Sequence, residues 1–270
     1  FTYTPALGAV LNAGVNQILS VDFTPTDATN YNSVLNKTAQ ITVNKATPTI
    51  TWANPAAITY GTLLSAIQLN ATSGGVAGTY TYSPSIGTLL NVGVNQTLSV
   101  DFIPTNGANY NAVLGKTVQV AVTKATLSVT VDNQSRTYGA ANPTLTFNYT
   151  GFVNGENLSV INVQPSATTV ASGSTPVGSY PITVSGGSDN NYDFAYSTGT
   201  LAITKATVTA TATSASRVYG AANPGFVITY AGLLNAENSS VLDTPPTAST
   251  LAGLASDVGT YPITVSGGAD

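Results

Sequence analysis

The run Ser188-Asp189-Asn190-Asn191-Tyr192-Asp193 places two carboxylates and two amide side chains within six residues. Oxygens of this kind suit calcium, which takes about six to eight of them. Asp189, Asn191 and Asp193 are the candidate ligands, and calcium is the one cofactor the sequence suggests. Their spacing is not that of an EF-hand loop. Turns also collect Asp and Asn because those side chains bond to backbone amides two residues on, so a plain turn competes with a metal site. No other metal or cofactor is expected.

Catalytic residues are not expected either. The chain has no Cys and no His, which removes the usual nucleophile–base pairs and the commonest metal ligands. Most charges recur instead with a fixed period: Asp22 as Asp101, Lys37 as Lys116, Arg136 as Arg217, Glu156 as Glu237. A group that repeats with the fold is read as structural. Arg136 with Glu156, and Arg217 with Glu237, are expected to form equivalent ion pairs. Tyr80, Tyr82 and the lone Trp52 offer a sugar platform in principle, but aromatic residues on strands belong more often to the core.

Charged residues make up 7% of the 270 residues, against about 25% in an ordinary soluble domain. The chain is 43% apolar with a net charge of −4, so it should fold rather than stay disordered. Its surface must then consist of Thr, Ser, Asn and Gly. A weak negative charge offers no field that would steer nucleic acid or anionic lipid, so no nucleic-acid partner is expected. No apolar run reaches the length of a membrane-spanning helix, about 20 residues.

Those scattered residues must be positioned by a repeated element. Residues 1–46 align without gaps on 80–125, at an offset of 79, and 124–189 align on 205–270, at an offset of 81. "LNAGVNQILSVDFTPTDATNYN" becomes "LNVGVNQTLSVDFIPTNGANYN", and "RTYGAANP" becomes "RVYGAANP". Both kinds share Tyr-Gly (60–61, 138–139, 219–220), Asn-Tyr (30–31, 109–110, 191–192) and Lys-Ala (45–46, 124–125, 205–206). The expected domains are 1–44 (lacking its N-terminal part), 45–123, 124–204 and 205–270 (lacking its C-terminal part). Incomplete end copies predict a window onto a longer repetitive chain.

Within a copy, Leu98, Val100 and Phe102 alternate with Ser99 and Asp101, and Val118, Val120 and Val122 alternate likewise. Period-two alternation bounded by Gly, Pro and Asn marks strands. Roughly six to eight strands in each copy predict an all-β chain of tandem immunoglobulin-like β-sandwich domains arranged end to end. In Asp27-Ala28-Thr29-Asn30-Tyr31, and at Tyr110 and Tyr192, the tyrosine is expected to bond to backbone a few residues upstream as a corner pin.

The apolar parity changes at each Lys-Ala. Val118, Val120 and Val122 are even, whereas Leu127, Val129 and Val131 are odd. Successive side chains in a strand face opposite ways, so a strand cannot run through unchanged. Lys-Ala-Thr is therefore the joint between copies, too poor in Gly for a flexible linker. The lysine stem is expected along apolar surface with its ammonium in water.

The segments "KAT…YGAANP…YTGFVNGE…VGSYPITVSGG…NYDFAYSTGTLAITKA" resemble the MBG-type repeat of large bacterial surface proteins. The segments "TPTITWANPAAITYGTLLSA…NQTLSVDFIPTNGANYN…VTKA" resemble the bacterial Ig-like repeat found interspersed with it. The resemblance implies a secreted or cell-surface, adhesin-like protein in which such modules form the stalk, located outside the bacterial cell. It brings no catalytic residues. The expected partners are neighbouring repeats of the same chain, with surface glycans or other cell-surface proteins beyond them. An array of carbohydrate-binding modules is the alternative function.

Overall fold

The computed structural model describes Phe1–Asp270 throughout. The chain is all β, with two single-turn 3-10 helices, Leu158–Val160 and Ser239–Val241, as its only helical pieces. No helix is long and apolar enough to cross a membrane. Two compact units divide it. One holds Phe1–Thr126, Val153–Val160 and Asp189–Asp193, and the other holds Leu127–Phe152, Ile161–Ser188 and Phe194–Asp270.

In the first unit, β1 (Thr2–Thr4), β2 (Gly14–Phe23) and β3 (Val34–Val43) form an antiparallel sheet in the order β1-β2-β3. Then β4 (Ile58–Thr59), β5 (Gly78–Ser83), β6 (Gly93–Pro104) and β7 (Val113–Thr123) form a sheet in the order β4-β7-β6-β5. The offset of 79 survives in the pairing: Thr2 faces Asp22 as Thr81 faces Asp101. The bulges also coincide, at Gly14/Gln17 and at Gly93/Gln96. The repeated aspartates close equivalent turns. Asp22 Oδ1 accepts the Asn36 amide at 2.6 Å, and Asp101 Oδ1 accepts the Gly115 amide at 2.7 Å. Asn36 and Gly115 both hold positive φ, 56° and 68°, a region tolerated by Asn and Gly.

The second repeat has four strands rather than the six to eight expected of it. Its covering layer, residues 46–77, is mostly irregular chain with isolated bridges such as Thr51 to Thr72 and Leu63 to Leu89. Pro48 and Pro55 carry no backbone N–H and cannot donate to a ladder. Burial is nevertheless achieved: Trp52, Leu64, Leu69 and Ala71 lie buried with Leu98, Val100 and Phe102. The Trp52 Nε1–H donates to the Gln68 carbonyl at 3.0 Å, and its ring meets Tyr82 edge-on at 5.4 Å. Tyr80 packs on Phe102 at 4.7 Å. Trp52 is buried, and Tyr80 and Tyr82 are half-buried, each with a face against the core rather than standing free as a platform.

In the second unit, β8 (Ala125–Val131), β9 (Gln134–Thr137), β10 (Phe147–Thr150), β11 (Ser166–Thr169), β12 (Gly178–Ser185), β13 (Tyr192–Ser197) and β14 (Gly199–Thr204) build a sandwich, with the first residues of β8 and β13 belonging to the other unit. Its sheets run β10-β8-β13 and β11-β12-β14-β9. Val129, Val131, Ile182, Val184, Leu201 and Ile203 form its core. The next repeat keeps β15 (Thr209–Ala212) paired with β16 (Ile228–Ala231), and β17 (Thr247–Ser249) paired with β18 (Thr264–Ser266).

Two expectations are corrected here. Arg136 and Glu156 do not form an ion pair. The buried Arg136 guanidinium donates to Asn142 Oδ1 at 2.8 Å, to the Thr137 carbonyl at 3.1 Å and to the Ser172 carbonyl. Arg217 repeats this with Asn223, Val218 and Gly253. A planar fork of donors matches several carbonyls at once, which fits a fold short of carboxylates. The corner pin also lies on other tyrosines. Tyr180 donates to the Pro176 carbonyl at 3.0 Å and Tyr261 to the Asp257 carbonyl at 3.1 Å, each four residues upstream, whereas the Tyr192 hydroxyl reaches a distant loop.

Candidate functional site

Lys124 is the single residue between β7 and β8. Val118, Val120 and Val122 are buried before it, and Ala125, Leu127, Val129 and Val131 after it. The parity change is thus real, and the lysine marks where it happens. Its ammonium does not simply sit in water. Lys124 Nζ donates to the Asp189 carbonyl at 2.8 Å and stands 3.4 Å from Asp193 Oδ1. The Ala125 amide donates to the Asn191 carbonyl at 3.0 Å. The Asn191 side chain in turn accepts the Val92 amide at 3.1 Å and donates to Asn91 Oδ1 at 3.4 Å.

The other Lys-Ala sites use the same bonds. Lys45 Nζ donates to the Gly107 carbonyl at 2.6 Å, and the Ala46 amide to the Asn109 carbonyl at 2.9 Å. The Asn109 side chain accepts the Ala13 amide at 2.6 Å and donates to Asn12 Oδ1 at 2.9 Å. Lys205 donates to the Asp270 carbonyl. Lys-Ala and Asn-Tyr, recognised in sequence as separate landmarks, are the two halves of one joint.

The candidate calcium ligands lie in this joint. Asp189 Oδ1 accepts the amides of Asn191 at 2.8 Å and Tyr192 at 3.0 Å. It is held as a turn-forming side chain, as Asp27 is by the amides of Thr29 and Asn30. Asn191 Oδ1 is engaged by Val92, and the Asp193 carboxylate, 74% exposed, faces the lysine. No group of three or more carboxylates converges anywhere in the chain.

The Tyr-Gly landmark supplies the other side of the joint. The Tyr60 amide donates to the Thr123 carbonyl at 2.8 Å, and its hydroxyl to Glu156 Oε1 at 2.6 Å. The Tyr192 hydroxyl donates to Glu156 Oε2 and accepts the Val153 amide at 3.0 Å. The two rings meet edge-on, 5.5 Å apart at 82°. Gly61 is required twice over. Its φ is +97°, and a Cβ there would come within 2.8 Å of Val153, closer than packed carbons approach. The pattern recurs with Tyr138, whose hydroxyl donates to Glu237 Oε1 at 2.6 Å, and with Gly139, whose Cβ would strike Leu234 at 2.5 Å.

The hydrogen bond to Glu156, helped by burial, pushes the Tyr60 phenol up to about 12. Burial first, and then the same carboxylate, raises Tyr192 to about 12. Unfolded tyrosine titrates near 10. A raised folded value means this contribution to stability is intact below pH about 10 and is lost as pH climbs through about 12. An absorbance titration of tyrosinate should therefore show two phenols ionising about two units late, merging with the rest once the chain is unfolded.

Residues 127–202 and 207–270 each match the MBG domain (YGX type), together just over half of the chain. The chain belongs to the MBG domain family. Both MBG copies carry the Tyr-Gly-Ala run, at 138–140 and 219–221, and at the first of them Gly139 admits the loop that bears Glu237. Tyr60-Gly61 lies outside the matched residues yet makes the same contact. No curated protein matches the chain.

Proposed function

We propose that these repeats are a spacer: a stretch of the stalk of a large bacterial surface or secreted protein, adhesin-like, lying outside the cell. The modules are 1–44, 45–123, 124–204 and 205–270, of the immunoglobulin-like kind. The observation that carries this reading is the recurrence of one joint at Lys45, Lys124 and Lys205, built from the same lysine–carbonyl bond each time. A chain that repeats its joints as faithfully as its cores is selected for how its modules connect. Stability in such arrays is a sum of module and neighbour contributions.

In this reading the run 189–193 is a turn that seats Lys124, not a calcium site. Surface glycans or other cell-surface proteins would be ligands of whatever the stalk presents. The alternative, a carbohydrate-binding array, gains little from Trp52, Tyr80 and Tyr82, because Trp52 is buried and the two tyrosines are half-buried against it and Phe102.

Small-angle scattering of the whole chain tests the spacer. A single globule of this length would have a radius of gyration of about 18 Å. A spacer should give a value well above that, with a distance distribution skewed to long vectors. A radius near the globular value would overturn it.

A further inference from the structure

Tyr60-Gly61 belongs to the second repeat, which shares its sequence kind with the first, whereas Tyr138-Gly139 belongs to an MBG repeat. Both receive the same loop from the repeat that follows. Glu156 Oε1 accepts the Tyr60 hydroxyl and Glu237 Oε1 the Tyr138 hydroxyl, each at 2.6 Å. Val153 fills the space over Gly61 as Leu234 fills that over Gly139. The two loops also turn alike. Asn154 and Gly155 hold φ of 53° and 75°, and Asn235 and Ala236 hold 51° and 63°. The Glu156 and Glu237 amides donate to the Val153 and Leu234 carbonyls at 3.0 and 2.9 Å. An alanine keeps positive φ only against a steric cost, and where its surroundings impose it.

The loop is not common to all repeats. From Lys45 to Val100 the second repeat has no carboxylate at all, so it brings no such glutamate to the repeat before it. Its joint with the first repeat has the Lys45 bond and the Asn109 amide clasp. That clasp depends on the kind of the preceding repeat instead. Gly93 lies opposite Val122 as Gly178 lies opposite Ile203, which aligns Asn91 with Pro176. Asn91 shares its side-chain amide with Asn191; a proline has none to share.

We propose that the Tyr-Gly face is a docking site for the glutamate-bearing loop of an MBG repeat next along the chain, whichever kind of repeat carries the face. The tyrosine donates, the glycine makes room, and the loop brings a carboxylate and an aliphatic plug. An MBG repeat can therefore follow either kind and stabilises its predecessor through one contact. A repeat of the other kind, placed downstream, gives its predecessor no such support. The joint is thus graded by the repeat that comes after it. This goes beyond the spacer reading and holds whether or not the repeats act as one.

Trp52 is the lone tryptophan and lies buried in the second repeat, so its fluorescence reports the unfolding of that repeat within the whole chain. Glu156→Gln keeps the shape of the side chain but leaves one oxygen for two phenols. It should lower the urea midpoint read at Trp52 by about half a molar. Glu237→Gln, the same change one joint further on, should leave that midpoint in place. Interchange is tested with Val153→Leu and Gly155→Ala together, which give the loop the Leu-Asn-Ala-Glu sequence of 234–237. This chain should keep the late ionisation of Tyr60. Val153→Leu alone, free of the strained alanine, should keep both that ionisation and the Trp52 midpoint. The proposal is overturned if Glu156→Gln leaves the midpoint unmoved, if Glu237→Gln lowers it equally, or if Val153→Leu abolishes the late ionisation of Tyr60.

Discussion

Arg136→Ala lowers the stability of the third repeat by about 3 kcal/mol, a large loss for one side chain in a module of this size. Hydrogen bonds to a charged donor contribute roughly 1.5–3 kcal/mol each, and acceptors left unpaired add to the cost without summing simply. Arg136 is 8% exposed and ties β9 to Asn142 and to the Ser172 carbonyl, while Asn142 Nδ2 holds the Ala171 carbonyl at 2.6 Å. Arg136→Lys recovers little, since one ammonium cannot span the acceptors of a fork. Arg217→Ala removes the equivalent bonds to Asn223, to the Val218 carbonyl and to the Gly253 carbonyl, and should destabilise the fourth repeat in the same direction. Urea unfolding reads all three. A shift in midpoint at constant slope reports stability alone, and an unmoved midpoint in Arg136→Ala would show that the guanidinium fork does not hold the repeat together.

Glu156→Ala is expected to cost a similar amount, about 3 kcal/mol, because it strands two buried phenols at once. Tyr60→Phe removes one of those bonds, and the cycle combining it with Glu156→Ala should return a coupling of roughly 1–2 kcal/mol. The titration separates this from general damage. In Glu156→Ala the Tyr60 phenol should fall most of the way back toward 10, since the carboxylate is the main cause of its shift. Tyr192 should fall less, because burial comes first there. An unmoved Tyr60 would mean that the joint does not depend on the glutamate.

Much of this was readable from residue types and spacing. Period-two alternation in Leu98, Val100 and Phe102 gave strands, and the change of apolar parity across Lys124 marked the joint, because side-chain direction follows from position alone. Bonding partners were harder to see. Arg136 and Glu156 recur together and carry opposite charges, so pairing them was the natural inference. Yet a guanidinium can be satisfied by carbonyls, which sequence does not reveal, and that freed the glutamate for two phenols. The signal for the Tyr60–Glu156–Tyr192 contact was present, since all three sit at landmarks that recur with the repeat. Recurrence alone does not say which landmarks meet. The irregular layer over the second core followed from Pro48 and Pro55, but its path depends on packing against Tyr82 and Phe102 rather than on any local pattern.

The joints at Lys45, Lys124 and Lys205 are each fastened by a lysine ammonium on a backbone carbonyl, and where an ion pair does occur, Lys124 with Asp193, it is 3.4 Å long with its carboxylate 74% exposed. Dissolved electrolyte weakens exposed pairs of that sort far more than it does short contacts between an ammonium and a carbonyl dipole. The linkage between modules should therefore hold alike in dilute fresh water and in brine, a tolerance that a charge-stitched assembly would lack.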